Sequence, residues 1–168
     1  MRREGLLDAA EELLSDQGSS ALTLAAVAER AGCSKGGLLY HFSSKEALIK
    51  GMVERLIEEF DELVAAQGHD TYTKNYLAAT FAAVRSGRIR RWAVVTGASG
   101  NPYLLAPLRE AMARWHREGL DGEPDPAAAQ IVRLACEGLW DVVSHDPGLY
   151  DDSRYAELER RLLDLLSE

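Results

Sequence analysis

Apolar residues recur along this chain at helical intervals almost from its first residue to its last. Leu6, Ala9, Ala10, Leu13 and Leu14 follow an i, i+3, i+4 rhythm, which marks one buried face of a helix that Gly18 brings to an end. Tyr76, Leu77, Phe81 and Val84 form a second stripe, within a helix predicted over about 71–85. A shorter helix over 89–96 follows the interruption at Ser86-Gly87, and another runs over about 107–118 with Leu108, Met112 and Trp115. Asp125-Pro126 is a cap followed by a first-turn proline, opening a helix to about Ser144 before Pro147-Gly148. The last helix covers about 152–166. No stretch alternates in the manner of a strand, so the fold class is all-α, with about nine helices.

Between the first and second stripes lies the densest run of local signals, TLAAVAERAGCSKGGLLYHFSSKEAL, from Thr23 to Leu48. Thr23 can cap a helix through Arg30, because its hydroxyl accepts from first-turn amides that have no partner inside the helix. Gly32 suits the tight turn that follows, where a positive φ is needed. Ser34 caps a short helix through His41 or Phe42. Leu38 and Phe42 face inward as an i, i+4 pair, which turns Lys35, Gly36, Leu39 and Tyr40 outward. Ser43 and Glu46 have the spacing of a capping box for a fourth helix, from Ser44 to about Ala66. Two glycines inside so short a helix each cost about 1 kcal/mol against alanine, which points to close approach by another molecule. Bare backbone, a lysine and exposed apolar and aromatic groups at a helix N-terminus suit a DNA major groove.

This run resembles the amino-terminal domain of TetR-family transcriptional regulators, whose pattern is roughly T-x-x-x-I-A-x-x-A-G-x-S-x-G-T-L-Y-x-H/Y-F-x-S-K-E-x-L. The likeness covers about the first fifty residues. It implies a three-helix DNA-binding domain with a helix-turn-helix over 1–48 and a helical ligand-binding and dimerisation domain over 49–168. The family's DNA-contacting positions fall on Thr23, Lys35, Gly36, Gly37, Leu39, Tyr40, His41 and Lys45. Gly37 stands where Thr or Ala is usual, and Leu39 replaces a tyrosine that commonly meets the DNA backbone; Tyr40 is the neighbour placed to share that role. Arg2 and Arg3 are either a DNA-contacting arm or solvated terminal residues.

Composition refines this picture. The chain has 168 residues, 46% of them hydrophobic, enough for a substantial core. Its net charge of −8 is unusual for a nucleic-acid binder, but the charge is unevenly spread. Residues 1–50 carry six basic and seven acidic groups, whereas residues 51–168 carry thirteen and twenty. Specific DNA binding would therefore rest on few cations and depend modestly on salt. No apolar run reaches the length of a membrane span and no signal peptide is evident, so a cytoplasmic protein is expected. Cys33 and Cys136 lack metal-ligand spacing and are read as packing residues rather than a redox pair. No metal or cofactor is expected. Arg88, Arg90 and Arg91 read as a solvated or ion-paired cluster, and the loop over 97–102 lacks the strand and GK[ST] of a phosphate loop.

In the carboxy-terminal part, Tyr72, Tyr76, Phe81, Trp92, Tyr103, Met112, Trp115 and His116 are candidates to line an apolar and aromatic pocket; the resemblance implies that such a pocket exists and takes a small-molecule effector. The two terminal helices carry broader apolar faces than one small body needs to cover, with Ile131, Leu134, Ala135, Gly138, Leu139 and Val142 on the first and Leu158, Leu162 and Leu165 on the second. They predict a homodimer with a four-helix interface, as in the family. The resulting expectation is a ligand-responsive regulator, a repressor by resemblance, that holds a near-palindromic double-stranded operator and releases it when an effector binds. An enzyme is not expected, because none of His41, His69, His116 and His145 stands in a metal-binding or nucleophile motif. The alternative is a helical interaction module that no longer reads DNA.

Overall fold

A computed structural model describes residues 2–118 and 122–167. Nine α-helices are present among them, α1 (Arg3–Gln17), α2 (Leu24–Arg30), α3 (Lys35–His41), α4 (Lys45–Ala65), α5 (Tyr72–Arg85), α6 (Arg88–Gly97), α7 (Ala106–Glu118), α8 (Pro126–His145) and α9 (Asp152–Leu165), with short 3-10 turns at Ser19–Ala21 and Pro102–Leu105. No strand occurs among the described residues. The all-α expectation and the helix count therefore hold. No helix among the described residues is long and apolar enough to cross a membrane.

The caps explain most boundaries. Thr23 Oγ1 accepts from the amide of Ala26, Ser34 Oγ from Gly37, Thr71 Oγ1 from Lys74, Asn101 Oδ1 from Tyr103, Asp125 Oδ1 from Ala127 and Ala128, and Asp151 Oδ1 from Arg154. Gly32 takes φ 66° in the turn between α2 and α3, a conformation costly for a residue with a Cβ. One cap differs from expectation. Ser44, not Ser43, begins α4, its Oγ accepting from Ala47 at 3.1 Å. Glu46 thus sits one position too early to complete a capping box with Ser44, whose third helical residue is Ala47; its own amide and the Ser44 hydroxyl hold its carboxyl below the usual range.

Two compact units are distinguished, Met1–Ile57 with Arg91–Arg109, and Glu58–Arg90 with Glu110–Glu168. In the first, the inward faces of α1, α2, α3 and α4 supply Leu6, Leu7, Ala10, Leu14, Val27, Leu38, Phe42, Leu48 and Met52, all buried. Gly51 is the point of tightest approach, since a Cβ there would lie 2.8 Å from Phe42 Cε1 and 3.5 Å from Leu7 Cδ2. Arg55, 8% exposed, is held by three carboxylates of α1, with 2.6 Å contacts to Asp8 Oδ1 and Glu11 Oε1 and a 3.3 Å contact to Glu4 Oε2. Arg91 pairs with Glu11 as well, its Nη2 lying 3.0 Å from Oε1. Arg3 is helical, lies 3.6 Å from Glu54 Oε2 and stacks over Phe42, so it is tied into the unit.

In the second unit the rings of Tyr76, Trp115 and Trp140 pack edge-on around Phe60, with centroids 5.0–5.1 Å from it. Asp61 binds this cluster from its rim, accepting from Trp115 Nε1 and Arg114 Nη2, each at 2.6 Å. Arg85 and Glu159 tie α5 to α9.

The contact at Gly51 carries a quantitative expectation. Gly51→Ala should destabilise the protein by about 1–3 kcal/mol through overpacking against Phe42, although alanine is the better helix former. Urea denaturation checks this, and an unchanged or raised midpoint would contradict it.

Candidate functional site

α3 is seven residues long and contributes one side chain, Leu38, to the buried core; Phe42, just beyond its end, is the second anchor. Everything else on it faces out. Lys35, Gly36, Gly37, Leu39, Tyr40 and His41 are exposed, Tyr40 to 87% and Leu39 to 40%. The ring of Tyr40 meets that of His41 edge-on, with centroids 5.2 Å apart. Thr23 is exposed at the start of α2, its hydroxyl engaged as the cap. Lys45 is half-buried, its Nζ 3.4 Å from the Ser19 carbonyl. All eight candidate DNA-contacting residues thus belong to the first unit, six of them on α3.

The protein interior does not require the two glycines of α3. A Cβ on Gly36 would meet Ser34 Oγ at 3.9 Å, and one on Gly37 would meet it at 3.4 Å, both ordinary contact distances. Neither residue has a positive φ. The outward-facing start of α3 thus gives up helix stability with neither close packing nor a positive φ to account for it.

In the second unit Tyr72, Tyr76 and Trp115 gather round the Phe60 cluster, Tyr76 and Trp115 buried and Tyr72 half-buried. Burial pushes the phenols of Tyr72 and Tyr76 well above their usual range. His116 Nε2 lies 2.6 Å from Glu137 Oε1. Met112 is half-buried on α7. A cavity of about 370 Å³ lies between Asp61, Val64, Ala65, Tyr72, Asn75, Arg114 and Glu118. Phe81 lies elsewhere in this unit, on the floor of an apolar groove of about 280 Å³ with Ala135, Gly138, Leu139, Val142, Leu158 and Leu162. Trp92 and Tyr103 are members of the first unit, Trp92 buried and Tyr103 82% exposed.

Six of the nine candidate interface residues therefore line one groove, while Ile131, Leu134 and Leu165 are exposed beside it on α8 and α9. Three features of this unit, Phe60, Asp61 and Arg133, escape a reading by apolar stripe. Arg133 did leave a trace, as the one cation on the face of α8 that carries Ala129, Val132 and Cys136. Among the described residues no group of His, Cys, Asp or Glu is arranged to hold a metal ion.

Residues 6–52 match the model of bacterial regulatory proteins of the tetR family, and residues 70–167 match that of the tetracyclin repressor-like C-terminal domain. The chain belongs to the TetR family. Among curated TetR-type relatives, the transcriptional repressor KstR2 of Rhodococcus jostii is 36% identical over 69 residues, covering 39% of this chain and 34% of that one. The regulator TtgR of Pseudomonas putida is 34% identical over 64 residues, covering 38% and 30%. These two matches span about a third of the relatives' length. The regulator BetI 1 of Chromohalobacter salexigens is 27% identical over 156 residues, covering 83% and 77%. A solved transcriptional regulator from Rhodococcus sp. Rha1 shares the fold with a TM-score of 0.75 at 20% identity, covering 99% of this chain and 95% of that one. The multidrug binding protein EbrR, solved with malachite green, does so at 0.71 and 23%, covering 96% and 97%.

If the TetR-type helix-turn-helix keeps its glycines for an external reason, Gly36→Ala and Gly37→Ala should each raise the stability of the protein, by up to about 1 kcal/mol. Thermal denaturation monitored by circular dichroism checks this. A loss of stability in either variant would mean that the fold itself needs the glycine.

Proposed function

We propose that this protein is a ligand-responsive transcriptional repressor, cytoplasmic and without enzymatic activity, that grips a near-palindromic operator as a homodimer. The observation that carries the reading is the exposed face of α3, where Lys35, Gly36, Gly37, Leu39, Tyr40 and His41 stand on a helix whose buried anchors are Leu38 and Phe42. In this reading residues 1–48 are the DNA-binding domain and residues 49–168 the regulatory and dimerisation domain. The amino terminus of α3 enters the major groove, Lys35 reads base edges, and Thr23, Tyr40 and Lys45 bind backbone phosphates. The glycines let the helix backbone approach the duplex more closely than any side chain would allow.

The groove of α8 and α9, with Ile131, Leu134 and Leu165 exposed around it, supports pairing through these helices. Two-fold symmetry sets two copies of α3 about 34–36 Å apart, one turn of the duplex. EbrR has been solved with malachite green, and a similar use of the second unit fits the aromatic cluster around Phe60. An effector that prefers a protomer shape incompatible with that spacing lowers operator affinity, and the operator lowers effector affinity by the same factor. α4 runs through both units and is the element suited to carry the change.

Fluorescence anisotropy against the duplex upstream of the protein's own gene, with a scrambled duplex beside it across a salt series, tests this reading. Tight binding that prefers the native duplex is the expected result. Equal, weak binding to both would favour an interaction module. Lys35→Ala should cost about 1–3 kcal/mol on the native duplex and relax its preference, whereas Lys45→Ala should weaken all sequences alike. Parallel losses on both duplexes would remove Lys35 from base reading.

A further inference from the structure

Among the fully buried side chains of the second unit is a cation. Arg133, 1% exposed, lies inside α8. Its guanidinium stacks over the ring of Tyr76 at 3.7 Å and faces Tyr72 at 5.9 Å. Nη1 donates to the Trp115 carbonyl at 2.6 Å. Nε and Nη2 find no acceptor. These are the two nitrogens of one guanidinium edge, whose parallel N–H groups match the two oxygens of a carboxylate.

Four carboxylates of this unit among the described residues are engaged elsewhere. Asp61 takes Arg114 and Trp115, Glu123 accepts from the Thr73 amide, Glu137 takes His116, and Glu118 lies 3.9 Å from Arg114. A cation removed from water is stable in a protein when an anion or a full set of acceptors meets it, and Arg133 has one carbonyl and two aromatic faces. Tyr72 faces this guanidinium and also lines the cavity of about 370 Å³, whose other walls carry Arg114 together with Asp61 and Glu118.

We infer that the second unit binds a small molecule with an aromatic or apolar body and one anionic oxygen pair, a carboxylate or sulfonate, received by the Nε–Nη2 edge of Arg133. The inference rests on the reading of this unit as a regulatory body. The ligand's body occupies the cavity beside Tyr72, and a turn of the Tyr72 side chain joins the cavity to the guanidinium. The anion supplies the acceptors that the fold leaves out, so binding energy is gained at a site the protein has already desolvated.

The test uses two fluorescent probes with one aromatic body. 1-Anilinonaphthalene-8-sulfonate carries an anion and N-phenyl-1-naphthylamine does not. On the full chain the sulfonate should bind one site per protomer about tenfold tighter than the neutral probe. Arg133→Met should abolish that preference while leaving the melting temperature of the unliganded protein equal or higher, because the unmet cation is gone. Arg133→Lys keeps the charge but not the two-pronged edge, and should lose most of the preference. Arg161→Met, in the groove of α8 and α9, should keep it.

Equal affinities in the wild type would overturn the inference, as would a preference that follows Arg161 instead of Arg133. Tighter binding of a cationic naphthyl amine than of the sulfonate would assign the aromatic cluster to cations and overturn it too. The wild-type comparison decides even if neither Arg133 variant folds. No readout involves DNA. Anion preference without duplex binding would leave this inference standing and remove the operator reading, and duplex binding without anion preference would do the reverse.

Discussion

A seven-residue helix with two glycines cannot hold itself together in water, where isolated helices need about 12–15 residues even with good formers. The shape of the first unit follows from that constraint. α3 exists because Ser34 caps it, Gly32 delivers the chain to it at the right angle, and Leu38 and Phe42 sink into the surface made by α1, α2 and α4. Gly51 gives Phe42 its place by having no side chain of its own. The helix that presents the outward face is thus almost wholly a product of tertiary packing, and its direction is as rigid as that packing.

Charge is handled in two contrasting ways by two buried arginines. Arg55 meets Glu4, Asp8 and Glu11 on α1. Arg133 pairs with no acid among the described residues and meets two aromatic rings and one carbonyl. Arg55 is braced by three carboxylates, whereas Nε and Nη2 of Arg133 both lack an acceptor. The difference between a brace and a receptor lies in which acceptors the neighbouring helices spare.

Local chemistry was readable from the sequence where a single residue acts on its own neighbours. Thr23, Ser34, Asn101, Asp125 and Gly32 each perform the cap or turn that their type suggests, and the inward positions of Leu38 and Phe42 follow from spacing alone. The misjudged cap at Ser43 shows the limit, because SS beside K-E offers two registers and the choice of Ser44 depends on how α4 packs. Arg55 and Arg133 show a deeper one. Both sit in helical stripes as isolated charges, and which of them finds partners depends on residues far away in sequence, such as Glu4 for Arg55 and Tyr72 for Arg133. Phe81, grouped with a pocket by its aromaticity, lies instead in the groove of the terminal helices, since helical phase and not residue type decides the side it faces. The family likeness over residues 6–52 and 70–167 makes the architecture common to many regulators, while the open edge of Arg133 is a feature of this chain's own side chains.

In the proposed complex, two copies of α3 related by a two-fold axis read base sequence in successive major grooves. The most direct test is selection of bound duplexes from a random pool, which needs no knowledge of the natural operator. The account predicts enrichment of an inverted repeat whose half-sites are centred about 10–10.5 base pairs apart or a multiple of that. Enrichment of a single unpaired half-site would contradict the symmetric dimer, and a pool that emerges unenriched would contradict base reading by α3 altogether.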